Sequence, residues 1–328
     1  MPDALRRRGA LALRVLVSAV LLGIVLGYAD ADAVARALRG AEWSWFGGAV
    51  GLMAVAAVLG AARWRLLLEE AEIEVSALRA VRAFAGALVL NNVLPTSIGG
   101  DAVRAWVVGR ESGRLLRAAT ATVVDKLTVL ACLYVVGWAA FAVDRRAVPS
   151  SVVHVFAWLT IGLAAACGLA ALAAAGVRPI LRRLPERLGA MLRDTWATLR
   201  TWAGSTKTIS LVLALGLAYQ VLAVLVLVMV GKTVGVQLSF ALAAVSTAIV
   251  LVAMLIPISI GGLGVREGGF VLLLGEAGIN GADATSVSLL SAAVVVLAGA
   301  VVVALAAAWD ALRPRERSAR ALPRQPSA

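Results

Sequence analysis

Two ten-residue stretches of this chain carry the same set of chemically useful residues. Residues 95–104 read P-T-S-I-G-G-D-A-V-R and residues 257–266 read P-I-S-I-G-G-L-G-V-R. Pro95/Pro257, Ser97/Ser259, Ile98/Ile260, Gly99/Gly261, Gly100/Gly262, Val103/Val265 and Arg104/Arg266 agree without a gap. Proline lacks a backbone donor and disfavours helix at the residue before it, so an arriving helix should stop there. Ser97 and Ser259 then stand where a new helix would be N-capped. The glycine pairs Gly99–Gly100 and Gly261–Gly262 permit a tight turn and a close backbone approach. Free N–H groups at the new helix start carry partial positive charge and favour an anion. Arg104 and Arg266 follow two turns later, ~10 Å along the helix. A helix N-terminus plus an arginine, offered twice, suits a phosphate, the group common to phospholipids and polyprenyl-phosphate carriers.

Further charges lie in apolar surroundings, where each costs at least ~2.5 kcal/mol to insert. They are Asp101, Arg104, Asp125, Lys126, Arg266 and Glu267. Asp101 and Arg104 are spaced i, i+3 and would pair on one helix face. Leu263 replaces Asp101 in the second copy, where Glu267 follows Arg266 instead. Two readings stand: ion pairs that fasten the structure, or groups that meet lipid or proton. Asn91 and Asn92, just before the first break, suit a headgroup or the freed backbone groups. His154, Cys132 and Cys167 stand apart from one another, with neither disulfide nor metal-ligand spacing. No G-x-x-x-x-G-K-[ST] stretch occurs, so transport would be passive or ion-coupled. No nucleophile–base constellation is visible; an enzyme would need Asp101 or Glu267 as general base. No cofactor and no metal are expected.

The elements that must position these residues are membrane helices. The chain is 61% hydrophobic and 15% charged, against roughly 25% charged in soluble domains. Its net charge of +12 does not point to nucleic acid, because the arginines lie in short segments between apolar runs. Six runs are long enough to span: about 11–28, 45–62, 118–142, 152–175, 208–230 and 286–309. Two more, 83–110 and 240–278, contain the repeated motif. The arms around 95–100 are too short to cross, which predicts a re-entrant helical hairpin. The longer arm 240–256 leaves a full crossing open. With the N-terminus inside and both hairpins returning to their own side, the inside segments hold 22 Arg and Lys and the outside segments 5. That bias fits the positive-inside rule. The expected fold is an all-α integral membrane protein of six full spans and two re-entrant hairpins. It forms two inverted repeats, about 11–142 and 152–309, within one membrane domain, 11–310. Segments 1–10 and 311–328 are expected in the cytoplasm, the latter as a disordered basic tail. Segment 176–207 alternates Arg with Leu and Trp, which suits either an amphipathic helix on the anionic inner leaflet or a loop that merely sets topology.

The stretches N-N-V-L-P-T-S-I-G-G-D-A-V-R-A-W, A-R-W-R-L-L-L, V-V-D-K-L and I-P-I-S-I-G-G-L-G-V-R-E-G-G-F resemble the lysylphosphatidylglycerol synthase transmembrane, flippase-like family. The resemblance spans about residues 10–310. It implies a lipid flippase-like membrane unit, with the family's polar motif positions falling on Asp101, Arg104, Asp125, Arg266 and Glu267. Relatives that make aminoacylated lipid carry an added soluble transferase domain; this chain is expected to act without one. The leading expectation is a transporter of an anionic phospholipid or lipid-linked intermediate, in a bacterial cell membrane. The alternatives are a membrane partner of an envelope-lipid enzyme, or a glycosyl or acyl transferase.

Overall fold

The computed structural model describes residues 31–94, 98–176, 205–256 and 262–312. All regular structure there is helical, with no strand among the described residues. Ten α-helices follow in order: α1 Ala31–Arg39, α2 Trp43–Glu70, α3 Ala77–Val93, α4 Gly99–Glu111, α5 Leu115–Val143, α6 Ser150–Gly176, α7 Thr206–Thr233, α8 Phe240–Leu255, α9 Val265–Gly275 and α10 Gly281–Leu312. Helix is the form that satisfies every backbone polar group within its own segment, as a hydrocarbon surrounding requires. Five helices, α2, α5, α6, α7 and α10, are long and apolar enough to cross a membrane. They answer five of the six expected spans. The sixth, 11–28, lies outside the described residues, as do 1–10, 313–328 and nearly all of the basic segment 176–207.

One expectation is corrected, and one alternative that the sequence left open is narrowed. The second span does not end near residue 62: α2 runs on to Glu70, so Arg63 belongs to a helix and not to a polar loop. The arm 240–256 forms a 16-residue helix. At 1.5 Å per residue that is ~24 Å, short of a ~30 Å hydrocarbon core.

Both motif regions are interrupted helices. α3 ends at Val93 and α4 starts at Gly99, and the two pack against each other. α8 ends at Leu255, α9 starts at Val265, and these also pack together. Gly262 and Gly264 have φ of +78° and +82°, in the left-handed region that glycine adopts without strain.

α2 and α7 pack along their lengths and run antiparallel. At one end Glu42 N–H donates to the Thr233 carbonyl at 2.8 Å; at the other the Thr208 hydroxyl donates to Glu70 Oε1 at 2.5 Å. Small residues bring the helices close, as in other membrane bundles. Gly60 faces the Phe84 ring, Gly216 faces Cys132, and Gly299 meets Val89 and the Ala85 carbonyl. α3 lies along α10 and α8 along α5, while α6 is peripheral and packs chiefly on α8. The interrupted helices are therefore held inside the bundle by full-length ones.

Candidate functional site

The first motif builds a buried charge cluster with α2 and α5. Asp125 on α5 is fully buried, and each oxygen takes one arginine. Arg63 Nε on α2 donates to Oδ1 at 2.7 Å, and Arg104 Nη2 on α4 donates to Oδ2 at 2.8 Å. Arg104 also donates through Nε to Asp101 Oδ1 at 3.0 Å, one helical turn back. Asp101 Oδ2 accepts from Lys126 Nζ at 3.0 Å and from Asn91 Nδ2 at 3.3 Å. The Arg104 guanidinium lies over the Trp64 ring at 4.6 Å and the Phe84 ring at 4.8 Å. Arg63 lies 5.3 Å from the Tyr219 ring centre. Ring faces attract a desolvated cation by about 2 kcal/mol. Among the described residues Arg63 Nη1 and Nη2 and Arg104 Nη1 have no hydrogen-bond partner, and Asp125 is the carboxylate that the two cations share. Trp64 is fixed in turn by its Nε1–H donating to Thr122 Oγ1 at 3.1 Å.

The second motif is wired differently. Glu267 is fully buried. Its Oε1 accepts from Arg266 Nη2 at 2.6 Å and its Oε2 from the Gly264 N–H at 2.6 Å. Arg266 Nη1 then reaches across to Asn92 Oδ1 at 3.2 Å. One hydrogen bond thus joins the second motif to the residue three before the first, across 174 positions of the chain. The Asn92 amide is oriented for this by donating to the Leu88 carbonyl at 2.9 Å.

The helix starts are already occupied. The Gly100 N–H donates to Asn91 Oδ1 at 2.8 Å, and the Asp101 N–H reaches the same oxygen at 3.3 Å. At α9 the Glu267 carboxylate takes the Gly264 N–H. The expected free N–H groups for an anion are therefore used internally at these positions. Ser97, Ser259 and Gly261, expected as caps and turn, lie outside the described residues; the capping positions of α4 and α9 are taken by Ile98 and Gly264, so Arg266 stands in the first turn of α9 and not two turns along it.

Two concave spaces meet beside the cluster. A central cavity of about 260 Å³ is lined by Asn91, Asn92, Lys126, Gln220, Thr247 and Arg266, with Ser291 and apolar side chains completing the wall. A lateral groove of about 400 Å³ runs between α4, α5 and α8. Ile98, Ala105, Val123, Leu127, Leu130 and Leu251 make its walls apolar, and Asp101 and Lys126 are its charged residues. Lys126, Leu251 and Leu255 belong to both spaces, so Lys126 stands where they join.

The sequence candidates thus separate. Lys126, Arg266, Asn91 and Asn92 face the cavity, and Asp101 faces the groove. Arg104, Asp125 and Glu267 are enclosed, and Gly100 is buried against the Ala87 backbone. Gly99 opens α4, and Gly262 packs against Met254. Arg104 and Arg266 do not converge on one point: the first is spent on two aspartates and two rings, the second faces the cavity. Sequence reasoning missed Arg63, Trp64, Tyr219 and Gln220. The available signal for Arg63 was a run of good helix formers continuing without a breaker to Glu70. The signal for Gln220 was its place midway along the expected span 208–230, where a polar side chain must find a partner; it donates to the Val129 carbonyl at 2.7 Å.

Neither the curated proteins nor the solved structures include a match to this chain. The family model for the lysylphosphatidylglycerol synthase TM region matches residues 11–302, across both motifs, the buried charge cluster and the groove. A multi-pass helical chain with that match over most of its length belongs to the lysylphosphatidylglycerol synthase TM region family.

Proposed function

We propose that this chain is a lipid transporter, moving a phospholipid or a lipid-linked intermediate between leaflets without hydrolysing ATP itself. The observation that carries the reading is the apolar lateral groove opening into a polar central cavity at Lys126. A lipid has that division within itself, an apolar tail and a polar head joined at a phosphate. A soluble substrate has no use for a groove lined by Ile98, Val123, Leu127 and Leu251, and such a groove suits entry from the bilayer side.

The reading includes two inverted repeats whose interrupted helices are re-entrant hairpins. Exchanging α2 with α7, α3 with α8, α4 with α9 and α5 with α10 turns each of the main packing contacts among these helices into another one that occurs. The turns also correspond. After α4 the Arg114 N–H donates to the Gly109 carbonyl, and after α9 the Ile279 N–H donates to that of Leu274. After α2 the Ile73 N–H bonds Leu68, and after α7 the Val236 N–H bonds Gly231. The antiparallel run of α2 and α7 favours an axis in the membrane plane. Broken helices meeting near the midplane at such an axis are a recurrent transporter design. The charge bias supports cytoplasmic termini in a bacterial cell membrane.

Purified protein in liposomes, with trace lipid labelled on the acyl chain and an impermeant quencher outside, tests the reading. Transport bleaches more than the outer half of the label. If bleaching stops at half, as in protein-free liposomes, the transporter reading fails. A modified lipid recovered from such vesicles would instead favour a transferase that acts at Asp101 or Glu267. Co-purification with an envelope-lipid enzyme, without transport, would favour a scaffold.

A further inference from the structure

We infer that the cavity selects a lipid with a monoanionic phosphodiester and a hydroxyl-bearing headgroup, and disfavours headgroups that carry an ammonium. This deepens the transporter reading and rests on it for its mode of access. The argument is charge accounting at the junction of groove and cavity. Asp101 and Asp125 balance Arg63 and Arg104, and all four are interlocked within 3.0 Å. Glu267 balances Arg266 at 2.6 Å. Among the described residues of the site, Lys126 is the surplus charge.

Lys126 is also placed to use it. It is about one-third exposed, whereas Asp101 beside it is 14% exposed. Asp101 does not need it: its Oδ1 is held by Arg104 and its Oδ2 also by Asn91. The ammonium can therefore swing from Asp101 to a phosphate oxygen without stranding a carboxylate. A lysine ammonium is a compact point charge on a flexible stem, suited to a moving ligand. A tail lying in the groove puts the phosphate beside Lys126 and the headgroup in the cavity.

The cavity then sets the headgroup. Its polar wall offers amides and hydroxyls from Asn91, Asn92, Gln220, Thr247 and Ser291, and the Arg266 cation. Among the described residues no carboxylate lines it, and Glu267 is closed off behind Arg266. Hydroxyls of a glycerol or sugar find donors and acceptors there. A headgroup ammonium finds the surplus Lys126 charge, of its own sign, and among the described lining residues no carboxylate to replace its water. Glycerol on a phospholipid and hexose on a polyprenyl phosphate share the chemistry that fits.

The test uses the full chain in phosphatidylcholine liposomes with acyl-labelled phosphatidylglycerol, phosphatidylethanolamine or lysyl-phosphatidylglycerol. A short-chain labelled polyprenyl phosphoryl hexose forms a fourth arm. Phosphatidylglycerol or the hexose lipid should cross roughly tenfold faster than both amine lipids, the ratio set by about one charge-assisted contact. Whichever of the two crosses faster identifies the carrier. Lys126→Ala should remove the preference, and Thr247→Asp should raise the rate of the amine lipids by giving the cavity a carboxylate. Equal rates for all four lipids would overturn the inference and leave transport standing. If no lipid crosses, transport fails, and quenching of tryptophan by brominated lipids decides the headgroup inference alone. Tighter quenching by phosphatidylglycerol than by the amine lipids supports it, and equal quenching sinks it.

Discussion

Replacing Asp125 by asparagine should cost more stability than any other single charge change in the bundle. The carboxylate is fully buried and is the point at which α2, α4 and α5 are joined by charge, through Arg63 at 2.7 Å and Arg104 at 2.8 Å. Asparagine keeps the shape but not the charge, and its NH₂ would face one of the two guanidinium groups, donor against donor. Arg104 retains Asp101; Arg63 retains only the Tyr219 ring. Breaking a buried pair by removing one partner costs ~3–5 kcal/mol. At 2–4 °C per kcal/mol, the scale of domains approaching this size, the melting temperature should fall by on the order of 10 °C. Cys132 provides the assay. It is buried, with Gly216 against it, and a thiol-reactive dye labels it only when α5 and α7 separate. The exposed Cys167 is replaced by serine so that Cys132 alone reports. Lys126→Ala is the control and should move the transition little, because a part-exposed pair contributes about 0–1 kcal/mol. Adding Arg63→Met to Asp125→Asn should recover part of the loss by removing the stranded cation. A melting temperature for Asp125→Asn within about 2 °C of the parent would show that the cluster is not held by this carboxylate.

Gly100→Ala should abolish the folded bundle's stable yield in detergent, because a Cβ there meets the Ala87 carbonyl oxygen at 2.2 Å and backbone cannot move aside cheaply; normal monodisperse yield would refute the contact. Arg104→Lys should lower the Cys132-detected melting temperature by several degrees, since lysine cannot reach Asp101 and Asp125 together; an unchanged melt with slowed transport would return Arg104 to the lipid path. Glu72, between α2 and α3, is held below the usual carboxylate range by hydrogen bonding and charge from Arg117 and then Arg114. Its depressed value means a stabilising contribution present above the ordinary carboxylate range and lost as pH falls through the folded value. The melting difference between parent and Glu72→Gln should therefore be present at pH 7 and vanish in acid, and a constant difference across that range would contradict it. In a background lacking Cys132 and Cys167, Ser112→Cys and Ala277→Cys should label from opposite sides of the membrane; labelling from one side would overturn the inverted arrangement.

The helices were legible in the sequence because the dominant force, burial of apolar segments of spanning length, is local and additive. The interruptions were legible for the same reason: proline and paired glycine act within a few residues. The partners of the charges were only partly legible. Asp101 and Arg104 pair at i, i+3, a spacing that any helix brings together. Arg63 and Asp125 are 62 residues apart, and their meeting depends on how two helices pack. Placing the end of the second span at residue 62 also moved Arg63 to the wrong environment, because hydropathy windows end a span at its first charge. A buried arginine with a buried aspartate violates that criterion. The helix N-termini failed as anion sites for a related reason: Asn91 and Glu267 cap them, and side chains nine residues before or three residues after the N–H they accept from do not announce their direction.

The two arginines of the repeated motif best show what repetition does and does not determine. Arg104 and Arg266 occupy the same motif position, but Arg104 is the sixth residue of α4 and Arg266 the second of α9. Their surroundings come from the helices that follow. α5 supplies Asp125 and Lys126 next to Arg104, whereas α10 supplies Ser288 and Ser291 at its corresponding level and keeps its carboxylates, Asp283 and Asp310, near its ends. Arg266 must therefore take its own neighbour Glu267, which leaves Nη1 to cross to Asn92 of the other motif. The same residue type thus fastens the bundle in one half and links the two interrupted helices across the cavity in the other. The surplus charge consequently falls on Lys126, where the groove meets the cavity. Two copies in identical surroundings would place opposed charges symmetrically and hold a phosphate equally at both. In the proposed transport the two motifs would instead offer a lipid phosphate Lys126 at the groove and, beyond it, an arginine already neutralised by Glu267, an arrangement suited to binding on entry without trapping.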